Sequence, residues 1–199
     1  MRITLFDYGA GNLHSLAKAL RGEGRDVRFE TDARAALQTD LLVLPGVGAF
    51  EPAARALGTG HDAMRDAIRA GLPCLGICLG MQLLFDASDE GGGAGLGVFA
   101  GRVTKLRTAR APQIGWNSIE DAADPLFGAA RLETVYYANG FVCRPLDESV
   151  VTAWSTHDGD RFPAAVRTNN VLGVQFHPEK SSAPGLAFIR EYLNLVSNP

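Results

Sequence analysis

The sequence predicts an α/β domain: an open, mostly parallel sheet flanked by helices, with additional antiparallel strands in its second half. Three observations carry that prediction. Short apolar runs alternate with amphipathic stretches through the first half of the chain. One of them, Asp40–Leu44 (DLLVL), is apolar on consecutive residues, as a strand covered by helices on both faces requires. After Gly91–Gly97 the rhythm changes to short runs separated by Pro, Gly and Asn.

In order, Ile3–Tyr8 is a short apolar run ending at Gly9, and Leu13–Leu20 repeats apolar residues at helical spacing. Val27–Phe29 is a second strand, and Asp40–Leu44 a third, which stops at Pro45-Gly46-Val47-Gly48. Ala63–Arg69 reads as a helix closed by Gly71 and Pro73. Leu75–Ile77 is a strand, and Leu79–Phe85 turns helical directly after Cys78. Beyond the glycine-rich stretch, Val103–Leu106, Ser118–Glu120, Leu132–Tyr136, Phe141–Cys143 and Val150–Trp154 read as antiparallel strands with one solvent-facing side. Ala165–Thr168 and Val171–Gln175 flank Asn169-Asn170, a two-residue hairpin signal. Leu186–Leu195 closes the chain as an amphipathic helix. With 199 residues and no repeat or linker, one domain spanning 1–199 is expected.

Composition narrows the function. A formal charge of −3 with scattered basic residues argues against nucleic acid as a partner. No apolar run is long enough to span a bilayer, and the first residues lack a signal-peptide core, so a cytoplasmic protein without membrane attachment is expected. Three cysteines make no disulfide framework. Cys74 and Cys78 have the C-x₃-C spacing, but no second pair follows, and His14, His61 and His157 have no ligand-like spacing. No metal and no cofactor are expected.

The chemistry concentrates in three segments. In Gly76-Ile77-Cys78-Leu79-Gly80-Met81-Gln82 a strand runs straight into a helix, with glycines two residues either side of a cysteine. This is the spacing of a nucleophile elbow: flanking side chains would clash in so tight a turn, and unpaired N–H groups at a helix start favour a thiolate. The bland alternative is a buried cysteine in a Gly-rich turn. In Gly173–Lys180, His177 ends an apolar strand and Glu179 follows two residues on. If the chain stays extended through Pro178, both side chains share a face, so an imidazole beside a thiol would be oriented by a carboxylate. Alone, His-x-Glu is more often a surface pair. Pro45-Gly46-Val47-Gly48-Ala49-Phe50 also follows a strand, and its N–H groups could face an oxyanion. A phosphate-cradling turn is the alternative there, but no GxGxxG or GK[ST] pattern is present. All three segments fall at the carboxyl edge of the sheet, where open α/β sheets bind ligands. Asp7, after the first strand, is read as a turn-holder for Gly9–Asn12 rather than an acid.

Together with Asp7–Asn12 (DYGAGN) and Pro112–Asn117 (PQIGWN), these segments resemble the class I, triad-type glutamine amidotransferases over nearly the whole chain. Within that family the DYGAGN, PGVGAF and GWN segments look like the glutaminase subunits of imidazole glycerol phosphate synthase, of histidine biosynthesis. The resemblance implies Cys78 as nucleophile, His177 as acid and base, and Glu179 as its orienter. It implies an oxyanion hole from Gly46, Val47, Gly48 and Leu79, and glutamine contacts from Gln82, Asn139 and Gly140. In Tyr136–Phe141 the chain reads YYANGF where the family usually carries YFVHSY. The resemblance also implies a heterodimer with a (β/α)₈-barrel cyclase, which takes the ammonia to form imidazole glycerol phosphate and AICAR. Asn12, Gln113, Trp116, Asn117 and Tyr136 are the expected partner contacts; for Trp116 the alternative is core packing. Rival readings are another amidotransferase's glutaminase, a silent glutaminase-like regulator, and a cysteine peptidase or esterase. The intact Cys78, His177 and Glu179 speak against the regulator, and the DYGAGN opening against other amidotransferases.

Overall fold

Successive residues of one strand bury opposite sides of a sheet, so a strand apolar on both faces needs a layer on each. Leu41–Leu44 meets that requirement: Leu41 and Val43 join one hydrophobic cluster, Leu42 and Leu44 another, and all four are buried. The computed structural model describes residues 1–9, 13–46 and 48–197. Its strands are β1 (Arg2–Phe6), β2 (Asp26–Glu30), β3 (Leu41–Leu44), β4 (Cys74–Ile77), β5 (Ala87–Ser88), β6 (Gly101–Lys105), β7 (Gln113–Ser118), β8 (Thr134–Asn139), β9 (Phe141–Pro145), β10 (Val151–His157), β11 (Asp160–Thr168) and β12 (Val171–Val174). The helices are α1 (His14–Leu20), α2 (Phe50–Leu57), α3 (His61–Arg69), α4 (Leu79–Leu83), α5 (Pro125–Ala130) and α6 (Ser182–Ser197).

The main sheet runs β10-β11-β12-β4-β3-β1-β2. Strands β12, β4, β3, β1 and β2 are mutually parallel, and β10 and β11 extend the edge antiparallel. Helices α1 and α6 contribute Leu16, Leu20, Phe188 and Tyr192 to the cluster on one face; α2 and α3 contribute Phe50, Leu57, Met64 and Ile68 to the other. The hairpin expected at Asn169-Asn170 is present: Thr168 pairs with Val171, and Asn169 takes φ 42°. Asn170 also donates from Nδ2 to the Ile68 and Leu72 carbonyls, tying the turn to the end of α3.

One expectation for the second half needs correction. The Ser118–Glu120 strand is displaced: β7 occupies Gln113–Ser118, and Glu120 makes only an isolated bridge to Trp154. Gly115 in β7 has φ 131°, which left no recognisable β pattern in the sequence. The later strands divide among three sheets. β7 and β8 form a separate ribbon, β5-β6-β9 a small sheet, and β10–β12 complete the main sheet. Local sequence carries no record of which sheet a short strand joins.

Candidate active site

The two glycines around Cys78 are dictated by contacts on both sides of the turn. A Cβ on Gly80 would lie 1.9 Å from the Leu44 carbonyl oxygen of β3, and one on Gly76 would lie 2.7 Å from the Gly80 carbonyl oxygen. Helix α4 therefore starts directly against the sheet, and the residue between the glycines absorbs the turn. Cys78 sits at φ 48°, ψ −105°, a conformation L-residues take only where their surroundings impose it. Its N–H donates to the Val174 carbonyl at 2.7 Å, locking the elbow to β12.

Strand β12 brings the base. Beyond Val174 the chain continues to His177, whose N–H donates to the Tyr136 carbonyl at 2.8 Å. His177 Nδ1 lies 2.8 Å from Glu179 Oε1, and the ring lines the same cavity as Cys78. The extended path expected through Pro178 is not taken: Pro178–Lys180 form a 3₁₀ turn, closed by Lys180 N–H on the His177 carbonyl at 3.0 Å. The tight turn itself brings Glu179 back to the ring. Burial disfavours the charged imidazole, but the interactions with Cys78 and Glu179 outweigh it and push the His177 pKa up from 6.5 to about 9. The other two cysteines are chemically quiet. Burial pushes the Cys74 and Cys143 thiols up, so neither supplies a thiolate at neutral pH.

Gly46 lies against both groups: a Cβ there would meet the Ile77 carbonyl oxygen at 2.8 Å, and Cys78 Cβ and His177 Cε1 at 3.0 Å each. Gly48 has φ 112°, open to glycine and strained for other residues. A cavity of about 260 Å³ opens beside Cys78 and His177, and Gly46, Gly48, Leu79, Gln82, Asn139 and Gly140 also line it. Glu179 stands behind His177. Gln82 is no surface residue; it is buried, donating from Nε2 to the Phe141 carbonyl at 3.0 Å and to Gln175 Oε1 at 3.2 Å. Asn139 is buried too, and its Nδ2 donates to the same Phe141 carbonyl at 3.1 Å. Val47 and Asn12 lie outside the described residues.

Four lining residues were not among the expected site residues: Glu90, Ala138, Phe141 and Lys180. Glu90 arrives because the glycine-rich stretch folds back on α4; a Cβ on Gly95 would be 2.0 Å from the Phe85 carbonyl oxygen. It accepts the Phe50 N–H at the start of α2 (2.9 Å), where a carboxylate is favoured. Asp7 behaves as a turn-holder, accepting the Gly9 N–H at 2.8 Å. Among the described residues no cluster of His, Cys, Asp or Glu could hold a metal, and no helix is long and apolar enough to cross a membrane.

The expected partner contacts divide by strand parity. Trp116 is 54% exposed and stacks edge-on to Tyr136 on β8, with ring centroids 6.1 Å apart, so it is not a core residue. Gln113, by contrast, is buried at 4% exposure and turned inward opposite Asn139. Asn117 also faces inward, donating to the Thr156 carbonyl at 2.9 Å. Gln113 and Asn117, on odd positions of β7, point into the molecule. The outer face of the ribbon carries Ile114, Trp116 and Tyr136 instead.

Residues 4–193 match the family model for class-I glutamine amidotransferases. The chain is 41% identical over 202 residues to the imidazole glycerol phosphate synthase subunit HisH of Gloeothece citriformis, covering 98% of this chain and 96% of that one. To the HisH subunit of Geobacillus thermodenitrificans it is 40% identical over 206 residues, covering 98% and 96%. Among solved structures, a chain of PurLQS from Thermotoga maritima superposes with TM-score 0.77 at 20% identity over 98% of each chain. A crystal structure of a glutamine amidotransferase gives TM-score 0.74 at 22% identity, again over 98% of each chain. These two likenesses show the fold, a class I glutamine amidotransferase-like α/β arrangement.

Proposed function

Because this chain belongs to the class-I glutamine amidotransferases, and among them to the HisH subunits of imidazole glycerol phosphate synthase, we propose that it hydrolyses glutamine and delivers the ammonia to a cyclase partner in histidine biosynthesis. It does so as one domain over residues 1–199, in the cytoplasm, as half of a heterodimer with a (β/α)₈-barrel cyclase. No cofactor or metal enters. The observation that carries the reading is the placing of Cys78, held at a strained elbow, and of His177, bonded to Glu179, on the wall of one cavity of about 260 Å³.

In this mechanism the Cys78 sulfur attacks the side-chain carboxamide carbon of glutamine. The oxyanion is held by N–H groups of Leu79 and the Gly46–Gly48 loop, and the close approach of Gly46 to Cys78 supports that placement. Breaking the C–N bond releases ammonia with a proton from His177, which a raised pKa keeps available at neutral pH. His177 then activates water against the thioester. Glu90 and Lys180 give the cavity wall charges of opposite sign, suited to the α-ammonium and α-carboxylate of an amino acid. Gln82, Asn139 and Gly140 line the rest, and the Phe141 carbonyl holds the first two side chains in place.

The partner docks on the Trp116–Tyr136 ribbon. Support comes from its exposed apolar face and from its attachment to the base: Ser181 Oγ accepts the Tyr136 N–H (2.9 Å) and donates to the His177 carbonyl (2.7 Å). A partner pressing on Tyr136 thereby reaches His177 by two routes, the His177 N–H on the Tyr136 carbonyl and the Ser181 hydroxyl.

Glutamine hydrolysis by the purified chain, alone and with the barrel plus its nucleotide ligand, tests the proposal. A large rise on adding the barrel that disappears in Cys78→Ala is expected. Equal rates with and without the barrel would assign the glutaminase to another pathway.

A further inference from the structure

We infer that Gln175 is a fourth catalytic group: its carboxamide donates a hydrogen bond to the Cys78 sulfur and supports the thiolate at both ends of the reaction. Gln175 Nε2 lies 3.4 Å from Cys78 Sγ, and the side chain is completely buried. Its position follows from the register of the sheet. Val174 of β12 pairs with Ile77 of β4, so the next residues of the two parallel strands, Gln175 and Cys78, emerge side by side at the carboxyl edge.

The orientation of the amide, which decides between donor and acceptor, is fixed by a chain of partners. The Phe141 carbonyl can only accept, so the group of Gln82 facing it at 3.0 Å is the NH₂. The second hydrogen of that NH₂ addresses Gln175 at 3.2 Å, which makes the near atom of Gln175 its oxygen. The NH₂ of Gln175 is then left for the sulfur. Reversing Gln175 would set two NH₂ groups against each other and a carbonyl oxygen against the sulfur lone pairs. Burying a carboxamide this fully is costly unless both ends are satisfied, and the sulfur is the partner at the nitrogen end.

The inference rests on Cys78 being the nucleophile of the reaction proposed above, whose steps define what the donor does. An S–C bond forms as the carboxamide C–N bond breaks, and ammonia departs with the His177 proton. Water then adds to the thioester, the C–S bond breaks, and the sulfur leaves with the bonding pair. The sulfur is anionic before the first step and after the second, and neutral in the thioester between them. A donor fixed on it favours both anionic ends. It raises the thiolate fraction and makes the sulfur a better leaving group, while lowering its nucleophilicity by a smaller factor. The ionisable groups that feel Cys78 are His177, Tyr8 and Cys143, and burial keeps Tyr8 and Cys143 protonated through the neutral range.

The test uses iodoacetamide alkylation of Cys78 between pH 5 and 10, with Cys78→Ala as blank, in wild type and in Gln175→Met, which keeps the side-chain volume and removes the donor. A hydrogen bond to a charged group is worth roughly tenfold in the thiolate equilibrium. With a nucleophilicity slope of about 0.45, that splits into a rate about threefold lower in the variant at the acid end and about threefold higher on the alkaline plateau. A merely structural role gives no such crossing. Superimposable profiles from a folded variant would overturn the inference.

A second measurement serves if Gln175→Met does not fold. The side-chain amide protons of Gln175, followed by NMR, are expected to move upfield from wild type to Cys78→Ala; unchanged resonances reject the hydrogen bond. Neither readout uses glutamine. Crossing profiles in a chain without glutaminase activity would therefore keep Gln175 and reject the function, whereas full activity with superimposable profiles would do the reverse.

Discussion

At Cys78 the backbone takes φ 48°, ψ −105°, which costs on the order of 1–3 kcal/mol and persists because Gly76, Gly80 and the Val174 carbonyl leave the residue no alternative. That conformation sets Cys78 on the cavity wall that His177 also lines. The imidazole is buried yet has its pKa raised from 6.5 to about 9, so its charged form is more stable in the fold than in the open chain. The sign follows: this contribution is complete below pH 6.5 and is lost as pH rises through about 9. Urea unfolding of wild type and His177→Gln checks it. The stability gap between the two proteins is expected to narrow by about 3 kcal/mol between pH 6 and pH 9.5. A gap that stays constant would remove the imidazolium from the energetics of the fold.

Turns and loops decide more at the next scale than helix propensity does. The β4–α4 elbow is assembled from missing side chains, and Gly80→Ala is expected to destabilise the chain by more than about 3 kcal/mol, because the Leu44 carbonyl at 1.9 Å belongs to a central strand that cannot yield. Gly128→Ala provides the contrast. Its site in α5 has nothing within 4 Å and no positive φ, so the substitution is expected to raise stability by about 0.5–1 kcal/mol. Thermal melts of both variants separate the two kinds of glycine. In the loop before α2, Gly48 has φ 112°, which a residue with a side chain takes only under strain. Gly48→Val is expected to abolish barrel-stimulated glutamine hydrolysis while the melting profile stays cooperative. Retained stimulation would take this loop out of the mechanism.

Across the molecule, the carboxyl edge of the main sheet and the β7–β8 ribbon are tied together twice, by the His177 N–H on the Tyr136 carbonyl and through Ser181. Trp116→Ala is accordingly expected to weaken barrel binding by about 2 kcal/mol, leaving the melting temperature and Cys78 alkylation of the free chain unchanged; titration calorimetry and alkylation rates measure both. A drop in stability instead would make Trp116 a packing residue, against its 54% exposure. The alternation of β1 to β4 with helices, the elbow around Cys78, and His177 with Glu179 were legible in the sequence, because each is set by contacts between near neighbours: the period of a strand, the steric demand of a turn, a carboxylate two residues from its histidine. Tertiary structure alone decided that β12 lies beside β4, placing Gln175 on the sulfur, and that the glycine-rich stretch folds back to bring Glu90 to the cavity. It also decided which face of β7 turns outward, separating Trp116 from Gln113. Those outcomes depend on pairings between segments far apart in the chain, where many partners satisfy the same local pattern and only the packing of the whole selects one.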